Sequence, residues 1–219
     1  LASVVFGAAR WDGAGVHYHA LSQFQLLGVH GAFLSADVFN LFVFFEVMLA
    51  ASYGLLLHGS GRARVRAGLH YIAVNLLASS LFLIGVAILY GITGTLNLAD
   101  MALKIPRIPA EDRSLLHAGV AVLGIAFLVK AAMWPLNFWL TPAYAAASPP
   151  VAALFVILSK VGIYAVLRLW TLLGSGAHDP LPLGGVVLVY GGFATLALAA
   201  IGMLTTQDPR RLAGFALIM

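Results

Sequence analysis

The strongest constraint on this chain is a series of apolar runs, each close to the roughly 20 residues that an α-helix needs to cross the hydrocarbon of a bilayer. They lie at about 20–35, 37–57, 69–91, 115–133, 149–172 and 183–204, with a further one starting near 211. The opening run, Leu1 to Ala9, is too short for a span and reads as the tail of a helix. Nearly every run is apolar all round, which suits helices with lipid or other helices on every side. Composition points the same way. Of 219 residues, 62% are hydrophobic and 9% charged, whereas an ordinary soluble domain carries about 25% charged residues. The expected fold is therefore all-α: a polytopic transmembrane helix bundle, a single transmembrane domain over residues 1–219 with six whole spans and two partial ones. Because the first and last runs are cut short, the chain is expected to be an internal piece of a longer protein.

The net charge of +4 does not mark a nucleic-acid binder, because the basic residues sit in short clusters between apolar runs. If the helices alternate, Arg10, Arg62, Arg64, Arg66, Arg210 and Arg211 share one side. Lys104, Arg107 and Arg113, diluted by Asp100, Glu111 and Asp112, share the other with Arg168 near a helix end. Basic residues gather on the cytoplasmic side of membrane proteins, which makes the first side cytoplasmic. With no cysteine in the chain, disulfides and thiolate metal sites are excluded. There is no phosphate loop, metal-ligand spacing or nucleophile motif, so neither cofactor, metal nor enzymatic centre is expected.

Three ionisable residues fall inside the runs: Glu46 in Phe-Phe-Glu-Val-Met, Lys130 shortly before Pro135, and Lys160 in Leu-Ser-Lys-Val-Gly. At 1.5 Å of rise per residue, Glu46 and Lys160 count to the middle of the membrane. A charge at that depth costs from ~3 to more than 10 kcal/mol, so such residues face a bundle interior and mark ion or proton paths. Two readings of Glu46 and Lys130 stand side by side: a structural ion pair holding two helices, or two members of a proton path. Lys160 has no evident carboxylate partner in this stretch, and a buried amine without one gives up its proton more readily. Pro135 either ends its helix at the interface or breaks it at membrane depth, where broken helices line cavities.

Other polar residues carry less. Asn75, Ser79 and Ser80 read as glue between helices. Asp37 caps the helix that follows it. Trp134, Trp139 and Trp170 read as interface-belt residues. His30 reads as packed or interfacial, and His58 and His70 as solvated.

On these residues the sequence becomes recognisable. The stretch Asp37-Val-Phe-Asn-Leu-Phe-Val-Phe-Phe-Glu46-Val-Met-Leu-Ala-Ala-Ser-Tyr53 resembles the fifth-helix motif of the D subunits in the multisubunit Mrp-type cation/proton antiporters. So do Phe127-Leu-Val-Lys130-Ala-Ala-Met-Trp-Pro135-Leu-Asn-Phe-Trp-Leu140 and Ser159-Lys160-Val-Gly-Ile-Tyr164, while Asp208-Pro-Arg-Arg-Leu-Ala-Gly-Phe is similar to the start of that family's second half. The wider superfamily includes antiporter-like subunits of complex I and of membrane-bound hydrogenases. The resemblance implies a fold with two inverted repeats, each with a discontinuous helix, of which this chain holds the first. It implies that Glu46, Lys130 and Lys160 match the family's fifth-helix glutamate, seventh-helix lysine and eighth-helix lysine. It implies a sodium (or other monovalent cation)/proton antiporter subunit of a bacterial inner membrane, working with the other subunits of a hetero-oligomer. The alternative is a proton-pumping subunit of an NADH:quinone oxidoreductase or hydrogenase complex. Asn137 and Thr141 stand where complex I relatives tend to carry histidine and aspartate, which favours the Mrp-like branch.

Overall fold

The computed structural model describes residues 2–173 and 185–219. Among them are ten α-helices and no β-strand: α1 (Ala2–Arg10), α2 (Tyr18–Leu34), α3 (Val38–Leu57), α4 (Arg62–Thr93), α5 (Leu98–Lys104), α6 (Arg113–Lys130), α7 (Leu140–Ala146), α8 (Pro149–Leu173), α9 (Gly185–Thr205) and α10 (Pro209–Ile218). Five of them, α3, α4, α6, α8 and α9, are long and apolar enough to cross a membrane. The run at 20–35 becomes α2, whose 17 residues fall a little short of a typical span of ~20. The first two residues of the run at 183–204 lie outside the described residues.

Helix ends follow local chemistry. Asp37 caps α3 as expected, its carboxylate accepting from the Phe39 and Asn40 backbone N–H groups at 2.8 and 2.9 Å. Asn97 does the same for α5, and Asp208, followed by Pro209, opens α10. Gly94 ends α4 in the left-handed conformation (φ 65°), its N–H returning to the Tyr90 carbonyl at 2.7 Å.

The spans alternate in direction. At one end the chain before α3 pairs with the chain before α5, through Val38 N–H to Leu96 O and Leu98 N–H to Ala36 O. Arg168 lies toward the same end, within 3.5 Å of the Phe33 carbonyl. At the other end His58 meets the Trp11 carbonyl at 2.9 Å, and Arg64 reaches the carbonyls of His58 and Ala146. The arginines that begin α4 therefore share an end with α1's exit and α7's last turn.

Close approach between helices depends on small residues. A Cβ on Gly28 of α2 would sit 2.6 Å from the Met48 backbone of α3, and one on Gly85 of α4 would sit 2.8 Å from that of Leu123 in α6. Beside that second contact, Phe45, Phe82 and Phe127 from α3, α4 and α6 meet with ring centroids 4.7–6.0 Å apart. All three are fully buried, so this aromatic cluster locks the three helices at one depth. The site is built beside it.

Candidate functional site

The chain between α6 and α7, residues 131–139, is neither helix nor strand. It begins directly after Lys130, which lies five residues before Pro135, with Ala132 in the left-handed region (φ 55°). The carbonyls freed at the end of α6 find other donors: Val129 O accepts from the Ala132 N–H and from the Trp139 indole N–H at 3.0 Å. Trp134 N–H donates to the Thr195 hydroxyl of α9 at 2.9 Å. Then α7 resumes and runs to the arginine end. The helix is therefore interrupted over residues 131–139 and resumes as α7. Trp139 corrects the interface-belt expectation: it is 2% exposed, folded into the core because the break turns the chain inward and its indole supplies the donor that Val129 needs.

Lys130, the last residue of α6, is 3% exposed. Its ammonium lies where the helix dipole is negative, with Nζ 5.2 Å from the centre of the Phe45 ring. Its hydrogen bond goes to α4: Nζ donates to Ser79 Oγ at 3.1 Å. Ser79 Oγ in turn donates to Glu46 Oε1 on α3. Glu46 and Lys130 are thus joined through a hydroxyl. The ion pairs within 4.0 Å among the described residues are Asp12–His19, Asp100–Lys104 and Asp208–Arg211, and Glu46–Lys130 is not one of them. The direct pairing that the sequence leaves open is replaced by a three-residue line across three helices.

The sequence alone gives Ser79 only the role of glue. The signal that singles it out is periodic: Tyr71, Asn75 and Ser79 stand four residues apart, so a single face of α4 carries three buried polar groups. The nearer part of that face satisfies itself. Asn75 donates to the Tyr71 carbonyl at 3.0 Å, and the Tyr71 and Ser52 hydroxyls lie 2.7 Å apart. Only Ser79 reaches charged groups.

Lys160 departs from expectation. Counting along its run makes it a buried cation at mid-membrane, but among the described residues it is exposed. Its Nζ donates to the Leu217 carbonyl of α10 at 3.0 Å, away from the Glu46–Ser79–Lys130 line. The buried face of α8 runs through Val151, Phe155, Leu158, Val161, Ala165 and Leu169, and one residue of helix turns a side chain by about 100°. Lys160 therefore falls on the flank. What α8 brings to the site is Gly162, where a Cβ would lie 2.6 Å from Ala131 N and 2.8 Å from Lys130 C. The backbone of α8 is seated directly on the break. Among the described residues no group of three His, Asp or Glu side chains could hold a metal ion.

In this all-helical bundle, whose longest helices can cross a membrane, a break in one helix thus stands beside a buried lysine and a carboxylate one hydroxyl away. The chain belongs to the NADH:quinone oxidoreductase/Mrp antiporter transmembrane family, which it matches over residues 35–218. It is 56% identical to a probable K+/H+ antiporter D subunit of Rhizobium meliloti, over 100% of this chain and 41% of that protein. It is 40% identical to a Na+/H+ antiporter D subunit of Alkalihalophilus pseudofirmus, over 92% of this chain and 40% of that protein. The fold superposes on a chain of the Mrp complex from Dietzia sp. with a TM-score of 0.86 and 35% identity, covering 99% of this chain and 40% of that one. The chain thus spans about two fifths of the length of the relatives it matches.

Proposed function

We propose that this chain is part of a subunit of a multisubunit monovalent cation/proton antiporter in a bacterial inner membrane, and that Glu46 and Lys130 carry protons through it. The observation that supports this best is the line Glu46–Ser79–Lys130, a run of exchangeable protons across α3, α4 and α6 beside a broken helix. Such a line is what proton translocation needs and what a scaffold does not. The names carried by the two relatives favour the antiporter over a subunit of a redox complex. They differ in the cation, so the proposal stays with monovalent cations as a class. Lys160, on the flank of α8, is proposed as the next proton carrier on the side of α10. The subunit acts as a transporter rather than an enzyme, together with the other subunits of its complex.

The test uses the full-length subunit in its assembled complex, in everted membrane vesicles. Glu46→Gln and Lys130→Ala are each expected to assemble and to lower cation-dependent proton movement by roughly a hundredfold, the scale of a lost proton-transfer group. Near-normal transport by an assembled Glu46→Gln complex returns the line to a structural role. Orientation is tested by single cysteines, clean because the chain has none. A cysteine at Gly61 is expected to label from the cytoplasm and one at Ala110 from outside, and the reverse pattern overturns the orientation.

A further inference from the structure

Ser79 is the one side chain among the described residues that hydrogen-bonds to both Glu46 and Lys130. Glue between helices requires a single hydrogen bond, and Ser79 makes two of opposite sense. Its O–H donates to the carboxylate while its lone pair accepts from the ammonium, the one arrangement in which a hydroxyl can pass a proton from one partner to the other. The Lys130–Ser79 separation of 3.1 Å is within the reach of proton transfer. The surroundings leave little room for a substitute carrier. Ser79 and Lys130 are both buried, and the cluster of Phe45, Phe82 and Phe127 closes one side.

We propose that Ser79 is itself a proton-transfer residue, relaying protons between Lys130 and Glu46. In the forward step a Lys130 Nζ–H bond breaks and its proton moves to the Ser79 oxygen. In concert the original Ser79 O–H bond breaks and that proton moves to Glu46 Oε1. An ammonium and a carboxylate become an amine and a carboxylic acid. No proton is gained or lost, and because the two transfers are concerted the serine is never left as alkoxide or oxonium. Both ends of the line are then neutral, so Glu46 holds a proton it can deliver elsewhere and Lys130 can accept a new one. The reverse step restores the charged pair. This relay rests on the antiporter reading above and adds to it the route between the two charged residues.

Two matched comparisons in the assembled complex test it. Ser79→Ala removes the hydroxyl. Ser79→Thr and Ser79→Val have nearly the same shape, with and without one, and keep the test open if the alanine variant does not assemble. Transport per assembled complex in everted vesicles is expected to fall by roughly a hundredfold in Ser79→Ala and Ser79→Val, and to stay within a few-fold of wild type in Ser79→Thr. Adding Glu46→Gln to Ser79→Ala is expected to slow transport no further, since members of one relay are not additive. Infrared difference spectra between two pH values report directly on the hydrogen bond between Ser79 and the Glu46 carboxyl. The protonated-carboxyl band that vanishes in Glu46→Gln is expected to move to higher frequency in Ser79→Ala and Ser79→Val, and to stay in Ser79→Thr. If Ser79→Ala or Ser79→Val transports normally while Glu46→Gln and Lys130→Ala do not, the relay fails and the antiporter reading stands. If all of these variants transport normally, the proton-carrying role of Glu46 and Lys130 fails first, and the relay falls with it.

Discussion

Lys130 and Lys160 look alike when the sequence is counted for depth, and the fold treats them oppositely. Lys130 is enclosed: the end of α6 supplies negative potential, Phe45 a ring face, and Ser79 a hydroxyl that leads to a carboxylate. Lys160 lies on the flank of α8, exposed and held by one backbone carbonyl. Depth in a membrane is one coordinate, and rotation about the helix axis is another. The first follows from the number of residues in a run, the second from which face each neighbouring helix covers. A lysine on the covered face depends on the partners that cover it, while one a step off it turns to whatever lies at the flank, here the Leu217 carbonyl of α10.

That contrast is broken most sharply by removing each charge. Lys130→Met leaves Glu46 and Ser79 without their cation, and breaking one side of a buried pair costs about 3–5 kcal/mol. Because Glu46 is only half-buried, the lower end of that range is expected. It should appear as a lower thermal midpoint of the full-length subunit in detergent. Lys160→Met is expected to leave that midpoint within error while still slowing transport. Equal destabilisation by the two substitutions would mean that Lys130 is no more enclosed than Lys160. Full transport by Lys160→Met would remove Lys160 from the proton path.

A smaller effect sharpens the same comparison through the backbone. A methyl group at Gly162 has to displace the backbone of Ala131 and Lys130, which is not the far end of a flexible side chain. Overpacking of this kind costs about 1–3 kcal/mol, and Gly162→Ala should also disturb transport by shifting the break. At Gly91, in the exposed last turn of α4, a methyl group would meet nothing within 4 Å. Gly91→Ala is expected to raise stability slightly, by up to about 1 kcal/mol, because alanine is the better helix former. The opposite signs, read as thermal midpoints, separate a glycine required for contact from one that is not.

The helices are legible in the sequence because apolar length and caps are local properties. Asp37, Asn97 and Asp208 each stand directly before a helix that they cap. Glu46 and Lys130 stand out in the sequence too, since each is a charged residue within an apolar run. What is not legible depends on rotation and on chain reversal. Trp139 reads as an interface residue because nothing local reveals that the chain turns back into the core after Lys130. Lys160 reads as buried because its neighbours in sequence, Leu158, Ser159 and Val161, are buried. Ser79 is one of three polar residues on its stretch of α4, and only the approach of α3 and α6 distinguishes it from Ser80. Ser80 is exposed and returns its hydroxyl to the Leu76 carbonyl of its own helix.

The smallest effect is expected where an acid and a base meet in the open. Asp100 and Lys104 lie one turn apart on α5, Nζ to Oδ2 2.9 Å, each with 43% of its side chain exposed. The hydrogen bond from Lys104 holds the Asp100 carboxyl below its usual range, helped by one from Thr95. A carboxyl held low in the folded state stabilises that state above its ordinary titration range. The contribution fades as pH falls through the ordinary range to the lowered one. Between neutral pH and moderately acid pH, α5 is therefore expected to loosen slightly, seen as faster amide exchange for Met101 to Lys104. Asp100→Asn should remove that pH dependence. Exposed pairs of this kind are screened by salt and contribute little, so high salt should erase the difference between Asp100→Asn and the unsubstituted chain. The same salt should leave the loss in Lys130→Met untouched, because ions do not reach a side chain enclosed by α3, α4 and α6. If salt moved both alike, the line through Ser79 would be open to water, and the distinction between enclosed and exposed charges in this bundle would fall.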